Sequence, residues 1–124
     1  MTGVQTCALP IFNVNRLNVL LAILEKRCGL KQLSSHDVYI SVAGGYKISE
    51  YSSDLAVCLA IASSLKNKPL STTVAAFGEC GLSGEVKKVT YQEARKKEAK
   101  KLGFADIISS DAVKTVDQAI KKFI

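Results

Sequence analysis

Leu17, Leu20, Leu21 and Leu24 recur at helical spacing and predict a helix over Phe12–Cys28 with one apolar face. Glu25, Lys26 and Arg27 form its exposed final turn, where two cations suit the negative end of a helix. Gly29 is placed to cap it. Leu30–Ser35 connects to a segment of different period. Over Asp37–Val42, Val38, Ile40 and Val42 point one way, while Tyr39 and Ser41 point the other. That alternation predicts a half-buried strand, ended by the Gly44-Gly45 turn. From Leu55 to Leu65 only Ser and Ala interrupt the apolar residues, so this second helix should be buried on most sides. Ser52, Ser53 and Asp54 stand where its orphan N–H groups need acceptors, and they are the expected N-cap.

Lys66-Asn67-Lys68-Pro69 breaks the chain, and Thr73–Phe77 follows as a short strand. Gly78, Gly81 and Gly84 predict a tight hairpin whose backbone takes positive φ. Tyr91–Leu102 reads as a helix with a narrow apolar face of Tyr91, Ala94, Ala99 and Leu102. Arg95 and Glu98 lie within that arc and are spaced to pair. Gly103 closes this helix. Ala105–Ser109 is a further strand, and Thr115–Phe123 a last helix with Val116, Ala119, Ile120 and Phe123 inward. The order α-β-α-β-β-α-β-α implies the α+β class: one domain with a mixed β-sheet and packed helices.

Composition narrows the chemistry. The 124 residues leave room for one domain, and no apolar run reaches the roughly 18 residues of a membrane span. The formal charge is +6, and Lys87–Lys101 carries +5 of it, from seven cations and two anions. Lys96, Lys97, Lys100 and Lys101 project from the helix as either a solvated face or a polyanion contact. Cys7, Cys28, Cys58 and Cys80 form no Cys-x-x-Cys pair, which argues against a zinc site and for buried thiols in a reducing compartment. His36 is the lone histidine and supports no Ser/His/Asp triad. No phosphate-binding loop of the Gly-x-x-x-x-Gly-Lys-Ser/Thr type occurs. Met1–Ile11 carries no charge and no periodicity. It resembles a translated sequencing adapter, so the expected domain is 12–124, a truncated fragment incomplete at its N-terminal side.

Three phrases carry a family resemblance. Gly44-Gly45, followed by Glu50-Tyr51-Ser52-Ser53-Asp54-Leu55-Ala56-Val57, is similar to the nucleophile segment of the Lon-type proteolytic domain. Gly78-Glu79-Cys80-Gly81-Leu82-Ser83-Gly84-Glu85-Val86 resembles a motif shared by the Lon-type, ComM-type and RadA (Sms) domains. Asn15-Arg16-Leu17 through Leu24-Glu25-Lys26-Arg27 is similar to RadA alone, and separates it from the other two. The chain therefore resembles the C-terminal Lon protease-like domain of the RadA family of DNA repair proteins.

The resemblance implies the Lon proteolytic-domain fold, related to domain 2 of ribosomal protein S5. It places Ser52 at the protease nucleophile position and Glu93 at the position of the catalytic lysine. Asp54 replaces a protease glycine there. A serine hydrolase without histidine needs a base such as a desolvated lysine. The dyad has lapsed, so no catalytic residue and no enzyme activity are expected of this fragment. The implied role is a DNA-contacting and ring-assembly scaffold in a bacterial, cytoplasmic ATP-dependent branch-migration protein of homologous recombination. Lys87 and Lys88 are the first-choice phosphate contacts. Arg95, Lys96, Lys97, Lys100 and Lys101 form the second set. The implied partners are DNA and further copies, a hexamer in the parent, with no membrane. No cofactor is expected here, since ATP and magnesium go with the family's ATPase and zinc with its zinc finger. The alternatives are a Lon-like Ser/Lys peptidase and a ComM-type domain.

Overall fold

The computed structural model describes residues 13–42 and 50–124. Met1–Ile11, with Cys7, lies outside them, as do Phe12 and the Gly44-Gly45 turn. Helix α1 (Val14–Arg27) begins at Asn13, whose side chain accepts from the Arg16 N–H. Its buried face is Leu17, Leu20, Ile23 and Leu24, and Leu21 is half-buried. Gly29 follows at φ +71, and the Leu30 N–H folds back to the Leu24 carbonyl at 3.1 Å. That is the C-terminal cap its position predicts. A 3-10 turn at Lys31–Ser35 buries Leu33.

Helix α2 (Asp54–Lys66) packs between α1 and the last helix, α4 (Val116–Phe123). Leu55, Cys58, Leu59 and Ala62 of α2 meet the α1 leucines and Val116, Ala119 and Ile120 of α4 in one core. Thr115 caps α4 by accepting from the Gln118 N–H at 3.1 Å. Losing a leucine side chain from such a core costs about 2–5 kcal/mol.

The strands are short. Strands β1 (Val74–Ala76) and β4 (Asp106–Ile108) pair in parallel, Ala75 opposite Ile107. Strands β2 (Glu79–Cys80) and β3 (Val86–Lys87) form the antiparallel hairpin, Glu79 opposite Lys87. Gly84 supplies the positive φ its turn needs, at +87. The class is α+β, as expected, but among the described residues there are two two-stranded sheets, not one mixed sheet. Residues 37–42 keep the anticipated alternation, with Val38, Ile40 and Val42 half-buried and Tyr39 and Ser41 exposed. Only Val38 makes a bridge, however, and a strand requires a ladder partner along its length.

Helix α3 (Gln92–Lys101) departs most from its sequence reading. Its buried residues are Gln92 and Ala99, not Tyr91, Ala94 and Leu102. Tyr91 sits before the helix at φ +57, which swings its ring outward to 82% exposure. Gln92 docks by hydrogen bonds instead: its Oε1 accepts from the Val89 N–H at 3.2 Å and its Nε2 donates to Ser110 at 3.0 Å. A buried amide with partners on both sides fills an inward position that apolar periodicity overlooks. Gly103, at φ +93, ends the helix, with the Phe104 N–H bonded to the Ala99 carbonyl.

Candidate nucleic-acid interface

The surface begins at a buried ion pair. Arg16, in the first turn of α1, reaches across to Asp54, the first residue of α2. Its Nε donates to Asp54 Oδ1 at 3.2 Å, and its Nη2 to Oδ2. The same Nη2 donates to the Cys80 carbonyl at 2.8 Å, and the Cys80 N–H donates to Asp54 Oδ2 at 3.1 Å. Asp54 is fully buried, so this knot ties α1, α2 and the hairpin together where neither charge is free. The guanidinium also lies over the Tyr51 ring, 4.1 Å from its centroid.

The expected serine N-cap does not form. A 3-10 turn over Tyr51–Ser53 gives Ser53 helical dihedrals, φ −87 and ψ −4, whereas a capping side chain needs an extended residue. The Leu55 N–H goes to the Gly78 carbonyl at 3.0 Å, and the Gly78 N–H to the Ser52 carbonyl at 2.8 Å. The hairpin backbone thus takes over part of the capping. Ser53 Oγ is buried without a hydrogen-bond partner among the described residues.

Ser52 Oγ donates to Glu50 Oε1 at 2.6 Å. Arg95, from α3, donates to Glu50 through Nη2 at 2.8 Å and to Ser52 Oγ through Nη1 at 3.4 Å. The Ser52 hydroxyl and Arg95 hold the Glu50 carboxyl below its usual range. Arg95 therefore pairs with Glu50 and not with Glu98, and its Nε donates to the Thr90 carbonyl at 2.9 Å. Glu93 lies on the exposed side of α3, 3.7 Å from Lys96.

The cations divide into two sets. Arg95 and Lys96 are engaged: Lys96 bonds Asp111 at 2.7 Å and its side chain is only 25% exposed, so it does not project freely. Lys87, Lys88, Lys97, Lys100 and Lys101 are exposed and make no ion pair among the described residues. Lys87 joins Arg16, Arg27, Glu79 and Glu85 in lining a cleft of about 470 Å³ beside the hairpin. A larger cleft of about 620 Å³ separates residues 36–42 from the outer face of α2.

Cys28, Cys58 and Cys80 are free thiols, and burial pushes Cys28 up to about 11. Among the described residues no cluster of His, Cys, Asp and Glu could hold a metal ion, and no helix is long and apolar enough to cross a membrane. Periodicity gave no role to Arg16 or Tyr51, and it placed Tyr91 on the apolar face of its helix, where the structure has it exposed. The available signal for Arg16 was a cation in the first turn of an amphipathic helix, opposite an Asp opening a buried one.

No family model matches the chain. It is 52% identical over 99 residues to DNA repair protein RadA of Rickettsia bellii, which covers 80% of this chain and 22% of that protein. It is 48% identical over 104 residues to DNA repair protein RadA of Streptococcus pyogenes, covering 83% and 23% respectively. The identity to DNA repair protein RadA of Rickettsia felis is 46% over 99 residues, covering 80% and 22%. The chain spans about a fifth of the length of the curated relatives it matches. Over about four fifths of its own length, the chain thus matches a fragment of the proteins named DNA repair protein RadA.

Proposed function

We propose that the chain is the DNA-contacting and ring-assembly scaffold of a RadA-type repair protein, with a Lon-like fold and no peptidase activity. The match to RadA at about half the aligned positions carries this reading. The five candidate lysines that are exposed and make no ion pair among the described residues support it, because cations free of carboxylate partners are the ones that can release counterions from a phosphate backbone. Such contacts position the protein without reading bases. The parent is an ATP-dependent branch-migration motor in homologous recombination, cytoplasmic and hexameric. ATP and magnesium belong to its ATPase, and zinc to its zinc finger.

The surroundings of Ser52 support the absence of peptidase chemistry. Its hydroxyl is bonded to a carboxylate and faced by an arginine, which cannot be deprotonated to act as a base. Duplex-DNA binding followed by fluorescence anisotropy tests the proposal. The Lys87→Glu/Lys88→Glu double variant should lose affinity by at least about tenfold near 0.1 M salt. Unchanged affinity in that variant would remove the first-choice contacts and leave the α3 lysines to carry the binding.

A further inference from the structure

Tyr91 is an aromatic residue held in a backbone conformation that few non-glycine residues adopt, φ +57 and ψ +33. The bulk of its ring makes that conformation costly, and its 82% exposure means no core contact repays the cost. It follows Lys87, Lys88, Val89 and Thr90, and the Arg95 guanidinium is anchored on the Thr90 carbonyl beside it. A second exposed tyrosine adjoins a residue that Arg95 contacts. Arg95 reaches Ser52, the next residue is Tyr51, and Tyr51 is half exposed with its ring against Arg16. Arg16 in turn shares the hairpin cleft with Lys87. A track of contacts through Arg95, Ser52 and Arg16 thus links the backbone beside Tyr91 to the Tyr51 ring and to the hairpin cleft that Lys87 lines.

We propose that Tyr91, with Tyr51 along the track, is a stacking platform for the unpaired bases of single-stranded nucleic acid. The strand's phosphates lie on Lys87 and Lys88. Every base has a π-face, so stacking tolerates any sequence, and that face is open only where the base has left the duplex stack. The rings would then distinguish unpaired from paired strands on a surface whose lysines attract both. This rests on the DNA reading above and adds a preference for strand state.

The test uses the 124-residue chain with a labelled oligothymidine and a matched duplex, read by anisotropy. Tyr91→Ala should weaken oligothymidine binding by roughly tenfold, leave duplex binding unchanged, and keep the melting temperature, since the ring touches no core. Tyr91→Phe should bind as the parent does. The chain has no tryptophan, so Tyr91→Trp gives a single reporter whose emission should be quenched by oligothymidine and not by duplex. Equal affinities for Tyr91→Ala and the parent, an equal loss on both nucleic acids, or an unquenched Tyr91→Trp would overturn the stacking role while leaving the lysine contacts intact. A parent chain that binds neither nucleic acid would overturn the DNA reading and this inference with it.

Discussion

Replacing Arg16 by methionine should be among the most damaging single changes available at this surface. Methionine keeps much of the unbranched apolar stem but removes the guanidinium. Asp54 has no solvent exposure and would keep only the Cys80 N–H as a donor. Breaking a buried pair by removing one partner costs about 3–5 kcal/mol, because the remaining charge is stranded in a low dielectric. A domain's whole stability is about 5–15 kcal/mol, so the loss is a large share of it. With a urea m-value near 2 kcal/mol/M, the unfolding midpoint should fall by about 2 M. Far-UV circular dichroism across a urea series reads this directly. The Arg16→Met/Asp54→Leu double variant should recover most of the loss, since two apolar groups replace a pair whose desolvation was already costly. An Arg16→Met variant within about 1 kcal/mol of the parent, or a double variant no better than the single ones, would refute the stranded-charge reasoning.

Three further outcomes follow from the site. The Glu50 carboxyl titrates below its ordinary 4.5 when folded, so its contribution to stability is full above that pH and is lost as pH falls through the lowered value. Glu50→Gln should therefore lower the urea midpoint slightly at neutral pH and leave it unchanged below the lowered value, so that the acid limb flattens when urea midpoints are read against pH. Burial pushes the Cys28 thiol to about 11, so little of it is thiolate at neutral pH. Maleimide should label Cys28 slowly in the native chain and fast in urea, and rapid native labelling would contradict the packed environment. A serine-directed fluorophosphonate should leave Ser52 unlabelled, with covalent adduct by mass spectrometry as the contrary result.

The helices were legible where one face is continuously apolar. Val116, Ala119 and Ile120 fall inward in α4 as their spacing predicts, and the α1 leucines do so with Ile23 added. Gly29 and Gly103 end helices as their positions imply, because a residue without Cβ is what the left-handed turn requires. Periodicity failed on α3 because the helix docks through a hydrogen-bonded glutamine, and a polar residue counts as outward in any apolar pattern. It failed at the α2 N-terminus because the caps come from Gly78, distant in sequence, not from the adjacent serines. The candidate lysines could be named but not sorted. Whether a cation is free depends on where Glu50 and Asp111 fall, which only the tertiary fold decides.

The salt dependence of duplex binding tests the central claim most directly. Log affinity should fall linearly with log salt, with a slope of about −0.9 for each phosphate neutralised. A slope near −2 would correspond to Lys87 and Lys88 alone, and one approaching −4.5 to these two with Lys97, Lys100 and Lys101. A folded chain with no binding at low salt, or binding whose slope stays near zero, would contradict a role in contacting DNA.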